Sequence, residues 1–206
     1  MHAFLHFELK IVTPNGGDSF YQSGTTTDDA INASNVDTII RGGDGDDTID
    51  LAEAGRDIVV FEADPAINGT DIITGFSTGT ATEVADALMF RGLDVATLRG
   101  TGTDVEFLSQ GGNLGIDTGF IGFTTILSDL TGSTIELALE SLVGAQAGDE
   151  IYALTTDGTD AKLVKANFSA SDDVTVDTLA VFDGLNDLSS LSADNILHTD
   201  PTGATA

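Results

Sequence analysis

The residues best suited to chemistry lie in one run, Gly42-Gly-Asp-Gly-Asp-Asp-Thr-Ile-Asp-Leu51, which packs three glycines and four carboxylates into ten positions. Residues 42 to 50 fit the nonapeptide pattern G-G-x-G-x-D-x-U-x, with U a large apolar residue, at every defined position. Glycine at 42, 43 and 45 allows positive φ, so the turn can curl tightly with its carbonyl oxygens toward one point. Asp47 adds a carboxylate to that cluster, and Ile49 is free to face a core. Such an oxygen-rich turn suits a hard cation. Calcium accepts six to eight oxygens at about 2.3 to 2.6 Å in tolerant geometry, whereas magnesium demands a stricter octahedron. Gly-Asp turns also form in solvent with no metal, and that bland reading stands beside the chemical one.

A turn of this kind needs a partner, and the sequence supplies one. Displaced by 18 residues, Gly24-Thr-Thr-Thr-Asp-Asp-Ala-Ile-Asn32 aligns with residues 42 to 50, with Gly, Asp, Asp and Ile in identical places. At half that period Ile31, Ile40, Ile49 and Ile58 recur nine apart, and Asp-x-apolar units recur at Asp29/Ile31, Asp37/Ile39, Asp47/Ile49 and Asp57/Val59. Gly55-Arg-Asp-Ile-Val59 and Gly69-Thr-Asp-Ile-Ile73 repeat the unit out of register. Nine-residue units that bury one apolar side chain each are expected to coil as a parallel β-roll, with successive units on alternate sides and same-side turns 18 residues apart. The turn at 24–29 then lies over the turn at 42–47, and Asp29 and Asp47 flank one ion. Asp44 or Asp46 is expected to supply backbone oxygen or charge farther out, with Asp28 a weaker candidate.

The elements that must hold this turn follow from periodicity. Leu5, Phe7, Leu9 and Ile11 alternate with His6, Glu8 and Lys10, the period of a half-buried strand, which Pro14 to Gly17 ends. From Asp18 to Glu62 eleven carboxylates and two arginines interleave with single apolar residues. After Phe76 the composition shifts to Thr, Ala, Leu and Val. Ala81–Phe90 and Thr134–Val143 read as short helices, the second turning Ile135, Leu139 and Leu142 or Val143 inward. Ile151–Thr155 and Ala161–Phe168 flank an Asp157-Gly158 turn, a hairpin signal, with Leu179–Phe182 a third antiparallel strand. The expected fold is mainly β: an N-terminal strand or cap over 1–22, a short calcium-binding parallel β-roll over 23–76, and a β-rich α+β C-terminal domain over 77–206. The tail from Thr199 to Ala206 reads as loosely ordered.

Composition narrows the function classes. The chain has 206 residues, 34 acidic against 7 basic, and a formal charge of −27, which disfavours nucleic acid and anionic membranes and favours cations. Cysteine is absent, so disulfides and thiolate sites are excluded. The start MHAFLHFELKIV lacks a basic region, an apolar run and a cleavage site, so no Sec leader is expected there. No stretch approaches the roughly 18 apolar residues of a membrane span, and a soluble protein is expected.

Over Gly24 to about Phe61 the chain resembles the RTX, or hemolysin-type, calcium-binding repeat family, and Gly55–Phe76 looks like the segment that closes such repeats. DGTDAKL at 157–163 and SLSADNI at 190–196 are similar in style to the terminal domains of large RTX surface proteins. The resemblance implies export by a type I secretion apparatus that reads an uncleaved C-terminal signal. It also implies folding outside the cell on calcium, and a secreted or cell-surface location, with surface or matrix components as further partners. The physics agrees: without cations the carboxylates repel and the repeat stays unfolded, which suits passage through a channel.

Other motifs weigh less. Gly75-Phe-Ser-Thr-Gly79 matches G-x-S-x-G, which would make Ser77 a nucleophile and His198 its base, but His198 is the one histidine downstream and the chain is short for such a hydrolase, so a turn leaving the roll is the favoured reading. His2 and His6 lack further zinc ligands in a recognised spacing. Gly111-Gly-Asn-Leu-Gly115 lacks the lysine of a phosphate loop and reads as a turn. The leading reading is a non-catalytic calcium-binding module. A calcium-bridged structural protein of an extracellular layer or filament is the second, and a small hydrolase using Ser77, or the export tail of a larger one, the third.

Overall fold

Single apolar residues spaced nine apart can be buried only if the chain coils and lays each turn on the one before. A computed structural model describes residues 7–12, 18–51, 54–62, 64–80, 85–91 and 104–197. The chain divides into two units, Met1–Gly92 together with Leu191–Ala206, and Leu93–Ser190. The architecture is mainly β, as expected, with a short parallel roll and a β-rich α+β unit.

The first unit contains, in chain order, β1 (Phe7–Val12), β2 (Asp18–Ser23), β3 (Ala30–Asn32), β4 (Thr38–Arg41), β5 (Thr48–Asp50), β6 (Ile58–Glu62), α1 (Pro65–Asn68), β7 (Asp71–Thr74) and β8 (Ala87–Arg91). β1 pairs antiparallel with β2. From β2 onward the chain alternates between two parallel ladders: β2, β4, β6 and β8 on one side, β3, β5 and β7 on the other. Ile31, Ile49 and Ile73 stand in register and are buried, and so do Ile40, Val59 and Leu88. Phe61 stacks on Phe90 in the same ladder, with ring centroids 5.9 Å apart.

The rhythm slips where the loops lengthen. Val59, not Ile58, pairs with Ile40, because the connection between β4 and β6 carries one residue more than that between β2 and β4. α1 stretches the next step: it starts on the Asp64 side chain, which accepts the Ala66 N–H, and ends at Gly69 with φ +68°. The expected helix at Ala81–Phe90 is corrected. Residues 81–84 lie outside the described set, and Ala87–Arg91 form β8, with Ala87, Leu88, Met89 and Phe90 all buried. An Ala- and Leu-rich run has helical propensity, but beside β6 it gains a full set of ladder hydrogen bonds and burial on both faces, which outweighs tenths of a kcal/mol per residue. β8 lies beyond Phe76, so the roll continues past the compositional change.

The roll's far edge is supplied late in the chain. Ala193–Asn195 form a 3-10 turn and β14 (Ile196–Leu197) pairs parallel with β8. Asn195 donates to the Asp86 carbonyl at 2.7 Å and accepts from Ser192 N–H at 2.9 Å, and the Ser192 hydroxyl donates to the Gly79 carbonyl.

The second unit carries β9 (Asp104–Leu108), β10 (Thr118–Phe123), α2 (Gly132–Glu140), β11 (Glu150–Thr156), β12 (Ala161–Ala170) and β13 (Asp173–Asp183). β9, β10 and β11 are parallel, and β11, β12 and β13 form an antiparallel meander. The Asp157 carboxylate accepts the N–H groups of Thr159 and Asp160 and Gly158 takes φ +85°, which makes the expected hairpin turn. α2, capped by the Thr131 side chain, buries Ile135, Ala138 and Leu139, with Leu142 just beyond it, against Phe123, Ile151, Val164 and Val174; Val143 faces solvent. Of the segment Gly111 to Gly115, the turn expected there falls at Gly111, with φ +74°, while Asn113 bridges to Val143.

Ile49 is fully buried in the β3–β5–β7 ladder, and Leu139 is fully buried in the core beneath α2. Ile49→Ala and Leu139→Ala should each cost about 2 to 5 kcal/mol, read as a drop in urea midpoint. A change below about 1 kcal/mol in either would contradict this packing.

Candidate metal centre

The turn at 42–47 lies on the turn at 24–29 because β3 and β5 pair with an offset of 18 residues. Gly24 N–H donates to Arg41 O at 2.9 Å, Asp44 N–H to Thr25 O at 3.1 Å and Thr48 N–H to Asp29 O at 2.9 Å. The glycines serve two purposes. Gly43 and Gly45 take φ of +111° and +110°, as the motif requires, whereas Gly42 has no such φ and is needed for space. A Cβ on Gly42 would lie 2.3 Å from Asp47 Oδ2, and one on Gly24 would lie 1.9 Å from Gly42 O.

Between turns the carboxylates accept backbone amides and form columns. In the inner column Thr25 donates its N–H and hydroxyl to Asp29 Oδ2 at 2.6 and 2.8 Å, Asp29 N–H donates to Asp47 Oδ1 at 2.8 Å, and Asp47 N–H donates to Asp71 Oδ1 at 3.1 Å. In the outer column Asp46 N–H donates to Asp28 Oδ1 at 3.0 Å and Thr70 N–H to Asp46 Oδ1 at 2.8 Å. Asp47 is only 1% exposed and Asp71 3%, and Asp47 Oδ2 is buried without a hydrogen-bond partner. Burial raises the Asp47 carboxyl to about 6; the Asp29 amide opposes the shift, and the charges of Asp29, Asp28 and Asp46 add to it. Burial likewise raises Asp71 to about 8, opposed by the Asp47 amide and reinforced by Asp47 and Asp46.

Of the residues singled out in the sequence, Asp29, Gly42, Gly43, Gly45, Asp46 and Asp47 line this stack. Asp44 is exposed and contributes its amide to Thr25 O. Asp71 was not singled out: it follows Asp47 by 24 residues, and only its Gly-x-Asp-x-apolar setting marks it.

The opposite side of the roll repeats the device. Arg56 N–H donates to Asp37 Oδ1, Thr38 N–H to Asp57 Oδ1 and Asp57 N–H to Asp86 Oδ1. Burial raises Asp86, but the amides of Ser77 and Asp57 and the Arg56 guanidinium oppose it. Ser77 belongs to this side, its N–H donating to Asp86 Oδ2 at 2.8 Å. The next described element is strand β8 and not the helix of a nucleophile elbow. His2, His6 and His198 lie outside the described residues.

Among the described residues no three Asp, Glu or His side chains converge as a ready-made metal cage. A hard cation here would need backbone carbonyls to complete its shell, which is normal for calcium. The partnerless Asp47 oxygen fits such an ion, because a buried acceptor left unmatched is costly.

No family model matches the chain, and no curated protein does. Among solved structures it is similar to the AlgE6R3 subunit of the Azotobacter vinelandii mannuronan C5-epimerase, solved in solution, at 22% identity and a TM-score of 0.35, with 89% of this chain and 84% of that chain covered.

The raised carboxyls set an unusual pH dependence. Asp47 and Asp71 are protonated more readily in the folded chain than in the unfolded one, where aspartate titrates near about 3.9. Their contribution to stability is full below that value and is lost as pH rises through about 6 and then about 8. In chelator the melting temperature should therefore fall between pH of about 4 and about 8, and Asp71→Asn should flatten the upper part of the fall. Calorimetric melts across that range check this, and a steady rise would contradict it.

Proposed function

We propose that the roll is a non-catalytic calcium-binding module of a secreted or cell-surface protein, exported by a type I apparatus and folded on calcium outside the cell. The observation that carries the reading is the inner column. Carboxylates are stacked at 29, 47 and 71, those of Asp47 and Asp71 are buried, one oxygen of Asp47 lacks a partner, and the charged groups acting on Asp47 and Asp71 are all acidic. Asp29 and Asp47 would hold the ion, with backbone oxygens of the two turns completing its shell. The ion's contribution is charge neutralisation.

The chain's own groups account for the switch. The glycines let the turns close and the apolar rows drive stacking, but stacking brings like charges together in a place that water does not reach. Where calcium is scarce this opposes folding and the chain stays extended, a state compatible with export. Where calcium is plentiful, binding to the folded form alone adds RT ln(1 + [Ca]/Kd) to stability, about 2.7 kcal/mol at a hundredfold excess over Kd.

Circular dichroism with chelator and then with calcium should register a gain of β structure. Calcium titration by calorimetry should give saturable binding to the wild type, and Asp47→Ala should lose it. Identical spectra with no binding heat would overturn the reading.

A further inference from the structure

We propose that the second unit carries a binding cleft for a neutral saccharide, at the carboxyl ends of β9 and β10 beside α2, where Ile126 and Leu137 stand among Gln110, Ser128, Ser133 and Thr134. The cleft belongs to that unit alone and does not rest on the calcium reading.

Its position follows from the strand directions. β9 and β10 run parallel, so both strands end on one edge of the sheet and the chain leaves them there. At such an edge the connecting loops spread and leave a crevice. The loop after β10 is pinned at three points: Thr124 N–H donates to Leu108 O at 2.8 Å, Leu127 N–H to Thr156 O at 2.8 Å, and Lys162 Nζ to Leu130 O at 2.7 Å. Gln110 N–H, from the loop after β9, donates to the Thr125 hydroxyl at 3.2 Å. Walls fixed in this way need not be ordered by a ligand, which lowers the entropy cost of binding. The cleft encloses about 490 Å³, within the range of roughly 300 to 1,000 Å³ usual for small-ligand sites.

The lining selects the ligand. Ile126 and Leu137 are 62% and 68% exposed, an unusual placement for two large aliphatic side chains in one cleft. Ser133 and Leu137 lie one helical turn apart on the same face of α2. Beside them stand polar groups with hydrogen-bonding capacity to spare. The Ser133 and Thr134 hydroxyls reach only the Thr131 hydroxyl, at 3.4 and 3.0 Å, and the Gln110 side-chain amide has no partner among the described residues. No ionisable side chain lines the cleft.

Three ligand classes fit poorly. The neighbouring Asp129 spends Oδ1 on the Thr131 hydroxyl and amide, at 2.6 and 2.9 Å, and Oδ2 on the Ser128 hydroxyl at 3.3 Å, so a cation finds no free carboxylate. Those Thr131 hydrogen bonds hold the Asp129 carboxyl down to about 2, so an anion meets a standing negative charge on a chain of net charge −27. A wholly apolar ligand would bury the hydroxyls and the amide unpaired. A neutral sugar ring satisfies all three constraints: its C–H face packs on Ile126 and Leu137, and its hydroxyls exchange hydrogen bonds with Gln110, Ser133 and Thr134.

The test is amide NMR of the full chain in calcium-containing buffer, titrated separately with neutral oligosaccharides of hexose and N-acetylhexosamine and with uronic-acid oligosaccharides. Saturable shifts are expected at residues 110, 126–128 and 133–137 with at least one neutral sugar and with no uronate. Leu137→Ala removes part of the aliphatic wall and Gln110→Ala removes the amide, both at exposed positions. Calorimetry with the bound sugar should show binding weakened about tenfold by each, at an unchanged urea midpoint, and such a loss in either supports the site. Absence of saturable shifts with every neutral probe overturns the proposal. So do shifts confined to other residues, tighter binding of uronates, or unchanged affinity in both variants.

Discussion

Parallel coils stack at the spacing of a β-ladder, roughly 4.8 Å, and each turn between strands then has amides that must find an acceptor. This roll answers with aspartate. A short carboxylate at the start of a strand reaches exactly one coil over, so Asp47 serves the Asp29 amide, Asp71 the Asp47 amide, and Asp57 and Asp86 do likewise across the roll. The same bond that fixes the register buries the carboxylates of Asp47 and Asp71. Structural order and electrostatic strain therefore arise from one interaction and cannot be separated by sequence changes that keep the turn.

What could be read in the sequence was local. The turn at 42–47, its partner at 24–29, the Ile31–Ile49 row, the hairpin at Asp157-Gly158 and α2 depend on residues close in the chain or on an unbroken 18-residue offset. Asp71 and Asp86 were lost to view because the chain reaches them 24 and 29 residues after the residues they join, once α1 and the segment before β8 have been added. The spacing signal vanished, although the Gly-x-Asp-x-apolar chemistry around Asp71 survived. The run at Ala87–Arg91 misled for a different reason: its composition favours helix, and only a neighbouring strand, which composition cannot reveal, makes it a strand. Gly42 fits the motif, but for the space it leaves rather than the angle it takes.

The two sides of the roll meet the same electrostatic demand by different means. Beside Asp57 and Asp86 the compensating charge is part of the chain, and Arg56 also donates to Asp194 O, so that side is completed by folding itself. Beside Asp47 and Asp71 it must come from solution, as a proton or a cation. One side therefore has a stability set by sequence, while the other takes its stability from its surroundings.

The roll is also interrupted. Its edge strand β14 joins β8 only after the chain has passed through the whole of β9 to β13. Contacts that bridge so many residues carry a large loop-closure entropy and raise contact order, which slows folding. The pairing of Ile196 with Leu88 and the grip of Asn195 on Asp86 O are contacts of this long-range kind. The coils pair through contacts close in the chain, whereas the edge of the roll is complete only when β14 lies on β8. The two ends of the described chain thus meet in one sheet, and closing that sheet is a long-range step while stacking the coils is a short-range one.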